Sequence, residues 1–113
     1  MKELLTQWAI LEPDKCRHQM IGTVLEGFSI YFDDCWNLIL ARKADESIMW
    51  IQWAVQQAII SKGWTFQLTY NSNCPDPRNP YDATVDSSKS GGWGFGNNNI
   101  VEALLSAYLK ALE

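Results

Sequence analysis

Apolar and polar positions recur along this chain with two periods, and each change of period marks an element. Between Lys2 and Leu11 the residues Leu4, Leu5, Trp8 and Leu11 come at helical spacing until Pro13-Asp14 interrupts them, so a short amphipathic helix is predicted there. Met20, Ile21, Val24, Leu25, Phe28, Ile30 and Phe32 fit extended chain, with Glu26-Gly27 as the expected tight turn between two strands. After Asp33-Asp34, the residues Trp36, Ile39 and Leu40 would share a helical face, yet the run from Trp36 to Leu40 suits a buried strand equally well. Periodicity does not choose between the two over residues 35–41.

The second half is patterned more sharply. Asp45 and Ser47 offer N-caps for a helix from Ile48 to about Ser61, with Ile48, Ile51, Val55, Ala58 and Ile59 on one face and Gly63 placed to end it. Trp50 and Trp53 lie outside that stripe, as they would in a helix packed on more than one side, by its own domain or by a second subunit. Trp64, Phe66, Leu68 and Tyr70 alternate with Thr65, Gln67 and Thr69, and Tyr81, Ala83 and Val85 alternate with Asp82, Thr84 and Asp86. Two antiparallel strands, each with one wet face, are predicted. Three prolines between Asn71 and Pro80 make that stretch an exposed connection.

Lys89-Ser90-Gly-Gly-Trp-Gly-Phe-Gly-Asn-Asn-Asn99 then leads into an apolar helix that starts at Ile100 and runs to the end of the chain. Asn99 is its expected cap, with Glu102 three residues on to complete a capping box. Ile100, Leu104, Ala107, Tyr108 and Ala111 form the stripe of this helix, widened by Val101, Leu105 and Leu112. Amphipathic helices flanking a small antiparallel sheet, with helix, strand, strand, helix as the C-terminal order, predict an α+β fold. The 113 residues are expected to form a single domain, 1–113. A stripe this wide leaves apolar surface for a partner, so a homo-oligomer is expected, with Trp50, Trp53 and Tyr108 as its interface.

Composition narrows the function classes. Nine basic against thirteen acidic side chains give a net charge of −4, the wrong sign for generic nucleic-acid binding through phosphate neutralisation. The apolar run after Met1 is too short and too acidic for a signal peptide, and no segment reaches spanning length, which predicts a cytoplasmic protein that avoids the membrane. Cys16, Cys35 and Cys74 are odd in number and far apart, as free thiols in a reducing compartment would be. Cys16 and His18 lack a second pair of ligands, so no metal is expected.

The glycine-rich stretch carries the one specific small-ligand expectation. Glycines ahead of a helix start resemble nucleotide-binding loops, yet Asn97-Asn98-Asn99 stands where a Walker loop has Lys-Ser or Lys-Thr, and glycine as turn material is the blander reading. If the stretch binds, Lys89, Ser90, Gly92, Gly94 and the amides of Asn97, Asn98 and Asn99 would hold an anion, and Trp93 or Phe95 would stack on a base or sugar. Asp33-Asp34 reads as a solvated boundary pair, Asp82 and Asp86 as the wet side of a strand, and His18 has no spacing to a nucleophile. No catalytic residue, cofactor or enzymatic activity is expected.

The order Ile51-Gln-Trp-Ala-Val-Gln-Gln-Ala-Ile-Ile-Ser-Lys-Gly63-Trp-Thr-Phe-Gln-Leu, a loop, a second strand, then Asn99-Ile-Val-Glu-Ala-Leu-Leu-Ser-Ala-Tyr-Leu-Lys-Ala-Leu resembles the small phage-type α-β-β-α (ABA) sandwich family. The likeness covers about the C-terminal two-thirds and departs at the proline-rich insert and the longer N-terminal part. It transfers no catalytic residue. What it implies is a phage accessory protein that binds and inhibits or sequesters a host protein, such as an antiviral defence component, in the host cytoplasm. The alternative is a binder of a small, nucleotide-like signalling molecule at residues 89–99, held within one chain or across a subunit interface.

Overall fold

The computed structural model describes residues 1–70, 81–87, 91–96 and 99–113. The fold is α+β, with three α-helices and two three-stranded antiparallel sheets among the described residues. Internal packing divides the chain into two compact units, Met1–Ala54 and Val55–Glu113.

In the first unit, helix α1 (Lys2–Leu11) buries Leu5, Trp8 and Ala9 and packs on strand β1 (Cys16–Ile21). Its end is tied by a buried Glu12, whose backbone N–H donates to the Trp8 carbonyl at 2.8 Å and whose Oε1 accepts from the Trp8 indole at 3.1 Å. The Glu12 carbonyl in turn accepts from the N–H groups of Lys15 and Cys16, which carries the chain round Pro13-Asp14 into β1.

Strand β2 (Val24–Phe32) lies between β1 and β3 (Cys35–Leu40), so the ambiguous stretch after Asp34 is a strand. The inward positions of this sheet, Cys16, Phe28, Ile30, Phe32 and Ile39, are buried. The expected turn at Glu26-Gly27 is corrected: the chain turns at Gly22-Thr23, because Gly22 can hold φ +62 and a glycine at the first central position suits a two-residue hairpin. Glu26 is instead the extra residue of a bulge, since Gln19 pairs Gly27 while Met20 pairs Leu25. Gly27 is needed inside the sheet, where a Cβ would strike the Ile39 carbonyl oxygen. Asp33 and Asp34 make the second hairpin turn at φ +53 and +61, the left-handed pair of a type I′ turn that short polar side chains tolerate.

A short 3₁₀ helix (Ala41–Ser47) runs directly into α2 (Ile48–Ser61), whose bounds match the predicted ones. Helix α2 contains the boundary between the units. Ile51, Val55, Ala58 and Ile59 of its predicted stripe are buried. Gly63 ends it at φ +73, with its N–H on the Ile60 carbonyl at 2.9 Å and the Trp64 N–H on the Ile59 carbonyl at 3.2 Å, the paired bonds of a Schellman motif.

The second unit holds β4 (Thr65–Tyr70), β5 (Tyr81–Asp86), β6 (Gly91–Gly96) and α3 (Ile100–Leu112). The predicted β4 and β5 pair antiparallel, Phe66 opposite Val85 and Leu68 opposite Ala83. The C-terminal order gains a strand: β6 pairs β5, with Gly92 opposite Val85 and Gly94 opposite Ala83. Helix α3 covers the face that Ala83, Val85, Gly92 and Gly94 share. Asn99 caps α3 as expected, its Oδ1 accepting from the Glu102 N–H at 2.9 Å. The predicted connection Asn71 to Pro80 lies outside the described residues.

Candidate functional site

The glycine-rich stretch is put to a different use from the one its composition suggests. A Cβ on Gly94 would lie 2.5 Å from the Ala103 carbonyl oxygen and 2.5 Å from the Ala107 nitrogen, and one on Gly92 would collide with the Ala107 carbonyl oxygen and lie 2.8 Å from the Ala111 nitrogen. The close approach that glycine permits is therefore to the alanine row of α3. This corrects the reading of Gly92 and Gly94 as a ligand cradle. Trp93 points away from the helix, 54% exposed, while its backbone carbonyl accepts from Lys110 Nζ at 2.7 Å. Phe95 sits on β6 opposite Asp82, and the Asn99 side chain is engaged as a helix cap. Lys89, Ser90, Asn97 and Asn98 lie outside the described residues.

The three predicted interface residues divide. Tyr108 is fully buried with its ring edge-on to Trp64, so it belongs to the core of the second unit and is withdrawn from any docking face. Trp50 and Trp53 are 60% and 47% exposed, and Met49 beside them is 82% exposed. Large apolar side chains do not stay in water for stability's sake.

These three residues and Asp33 line a hollow of about 340 Å³ in the first unit. Local structure fixes three of these side chains. Trp50 stacks on Phe32, ring centroids 6.1 Å apart and planes at 22°. The Trp53 indole N–H donates to Asp33 Oδ1 at 3.2 Å, and the type I′ turn holds Asp33 at the end of β2. Trp50 also lines a second hollow of about 300 Å³ with Phe32, Asn37, Leu38, Ile39 and Ser47. Sequence reasoning found the two indoles but missed Phe32, Asp33 and Met49. A sign of Asp33 was present, since an Asp-Asp pair between two pairing strands marks a hairpin turn whose side chains stay near the surface.

Among the described residues the remaining reactive groups do not gather here. Cys16 is buried and desolvation pushes its thiol up to about 12, which keeps it a neutral thiol at ordinary pH. His18 is two residues along β1, exposed, with its ring 5.8 Å from Phe28. Among the described residues no three His, Cys, Asp or Glu side chains converge to hold a metal, and no helix is long and apolar enough to cross a membrane. No family model, no curated protein and no solved structure matches the chain.

Proposed function

We propose that this is a non-enzymatic, phage-type accessory protein that binds a host protein in the host cytoplasm and thereby inhibits or sequesters it. The docking face is Met49, Trp50 and Trp53 around the Asp33 turn. The observation that carries this reading is the exposure of three adjacent large apolar side chains, 82%, 60% and 47%, in a mean setting where isolated exposed residues are ordinary but a contiguous patch marks a contact surface. Tryptophan supports it further, because few other residues bury so much area at so small a cost in side-chain freedom. A non-enzymatic role is supported by the engagement of Asp33 and Asp34 in a turn and by the buried, neutral Cys16.

The test is capture from host lysate with wild-type protein and with Trp50→Ala. One stoichiometric host protein, retained by the wild type and lost by a Trp50→Ala variant of unchanged circular dichroism, is the expected result. Equal capture by both proteins overturns the reading. A second reading, a nucleotide-like ligand at residues 89–99, keeps one favourable observation, the exposed ring of Trp93. A nucleotide that raises the melting temperature of the wild type but not of Trp93→Ala would favour it over docking.

A further inference from the structure

We propose that β3 pairs with β3 of a second copy of this chain, antiparallel about a twofold axis at Leu38, so that two three-stranded sheets join into one of six strands. This pairing is separate from the docking of a host protein by Met49, Trp50 and Trp53. It uses the edge of the sheet, and its chemistry is that of the backbone.

The Tyr31 N–H donates to the Lys15 carbonyl at 2.9 Å, so Tyr31 directs its backbone groups toward the β1 side. On its other side Tyr31 pairs Trp36, and in an antiparallel ladder a pair so oriented exchanges no bonds. The N–H and C=O of Trp36 therefore point out of the sheet, and alternation places those of Leu38 and Leu40 on the same open edge. Among the described residues no further hydrogen bond reaches these groups. The edge is also unguarded. Residues Cys35–Leu40 carry no charge, no proline and no bulge, the devices that keep strand edges apart. The opposite edge of the same sheet has them: β1 carries Arg17, its register breaks between Gln19 and Met20, and α1 packs on it.

Symmetry selects the occupant. Trp36, Leu38 and Leu40 are two residues apart, so their side chains share the outer face of the sheet, where Leu38 is 53% and Trp36 37% exposed. Turned end for end about Leu38, this row matches itself. Leu38 faces Leu38, and on either side Trp36 faces Leu40, an aromatic ring against an aliphatic side chain. Trp36 is already held in place, its ring 5.4 Å from Tyr31 edge-on and 4.3 Å from the Arg17 guanidinium. Pairing about a twofold axis uses both β3 edges at once and leaves the two guarded β1 edges at the ends of the joined sheet, so assembly stops at two copies.

The experiment is sedimentation equilibrium of the full chain over a concentration series. The mass should rise from one chain to two and no further. Leu38→Lys and Leu38→Glu each set like charges opposite one another on the axis and should weaken association by at least about tenfold, with circular dichroism unchanged because Leu38 is exposed. An equal mixture of the two variants sets opposite charges there and should associate at least about fivefold more tightly than either alone. Ile60→Lys adds the same charge at another exposed apolar position, on α2, and should leave association unchanged. A wild type that stays monomeric, an assembly that grows past two copies, a dimer indifferent to Leu38→Lys or equally weakened by Ile60→Lys, or a mixture no tighter than its components overturns the pairing. If the wild type is monomeric and Leu38→Lys instead abolishes capture of the host protein, the edge takes a strand of that protein and self-pairing is overturned.

Discussion

Two indole-to-carboxylate hydrogen bonds stand in the first unit, nearly equal in length and opposite in setting. Trp8 donates to Glu12 at 3.1 Å inside the core, and Trp53 donates to Asp33 at 3.2 Å at the surface. Trp8 and Glu12 are four residues apart at the end of one helix, so the first bond closes α1 and fixes its exit. Trp53 and Asp33 are twenty residues apart, and their bond ties a hairpin turn to a helix. A buried bond of this kind is protected from competing water and costly to leave unmade, whereas an exposed one exchanges almost freely with solvent. The same pair of groups thus maintains structure in one place and presents a surface in the other.

The largest expected effect tests the buried half. Trp8→Ala removes a fully buried ring and should destabilise the protein by about 4 kcal/mol in a denaturant titration. Trp50→Ala, on the exposed face of α2, should change it by less than about 1 kcal/mol. Similar losses from the two would mean that Trp50 is part of a core. The second unit offers the same contrast on adjacent residues. Gly94→Val forces a branched side chain into the α3 backbone, where a Cβ alone would lie 2.5 Å from two atoms. A loss of about 3 kcal/mol is expected, and Trp93→Ala should cost far less.

Trp8→Phe keeps most of the apolar volume and removes the indole donor from Glu12. About 2 kcal/mol should be lost in urea unfolding, because a buried carboxylate gives up one of its hydrogen bonds. Cys16 supplies a titration of the same interior. Its thiol is raised from 9.0 to about 12 by burial, so between these values the unfolded chain ionises while the folded chain stays protonated. Stability contributed by this group is complete below pH 9 and declines as pH rises toward 12, at about 1.4 kcal/mol per pH unit. At pH 10 the difference between wild type and Cys16→Ala should therefore have moved by about 1.4 kcal/mol relative to pH 8.

Legibility from sequence followed the same division between filled and open. Helices and strands with a clean period were readable to within about a residue, as α2 and the pairing of β4 with β5 show, since one buried stripe or one buried face dictates the spacing. Turns were less readable because glycine serves several purposes. Gly27 looked like turn material but occupies a strand interior, while Gly22, five residues earlier, makes the turn. Gly92 and Gly94 looked like a ligand loop and in fact admit α3, a use visible only when the alanine row at Ala103, Ala107 and Ala111 is set against them. The hollow was half legible. Two tryptophans off the helix stripe announce an unusual surface, but that Asp33 and Met49 complete it, with Phe32 behind Trp50, depends on a hairpin meeting a helix, which no local pattern encodes.

The smallest predicted effect is the most discriminating. Trp53→Phe removes the indole N–H from Asp33 as Trp8→Phe removes it from Glu12, and leaves a ring in place in both cases. At an exposed site the carboxylate recovers its bond from water, so stability should change by less than about 0.5 kcal/mol, against about 2 kcal/mol for Trp8→Phe. The orientation of Asp33 is what Trp53→Phe loses, and capture of the host protein by this variant should be about twofold weaker. A large stability loss instead would place the Trp53–Asp33 bond in the same structural class as Trp8–Glu12, and the face it holds would then be a framework of the fold that has no need of a partner.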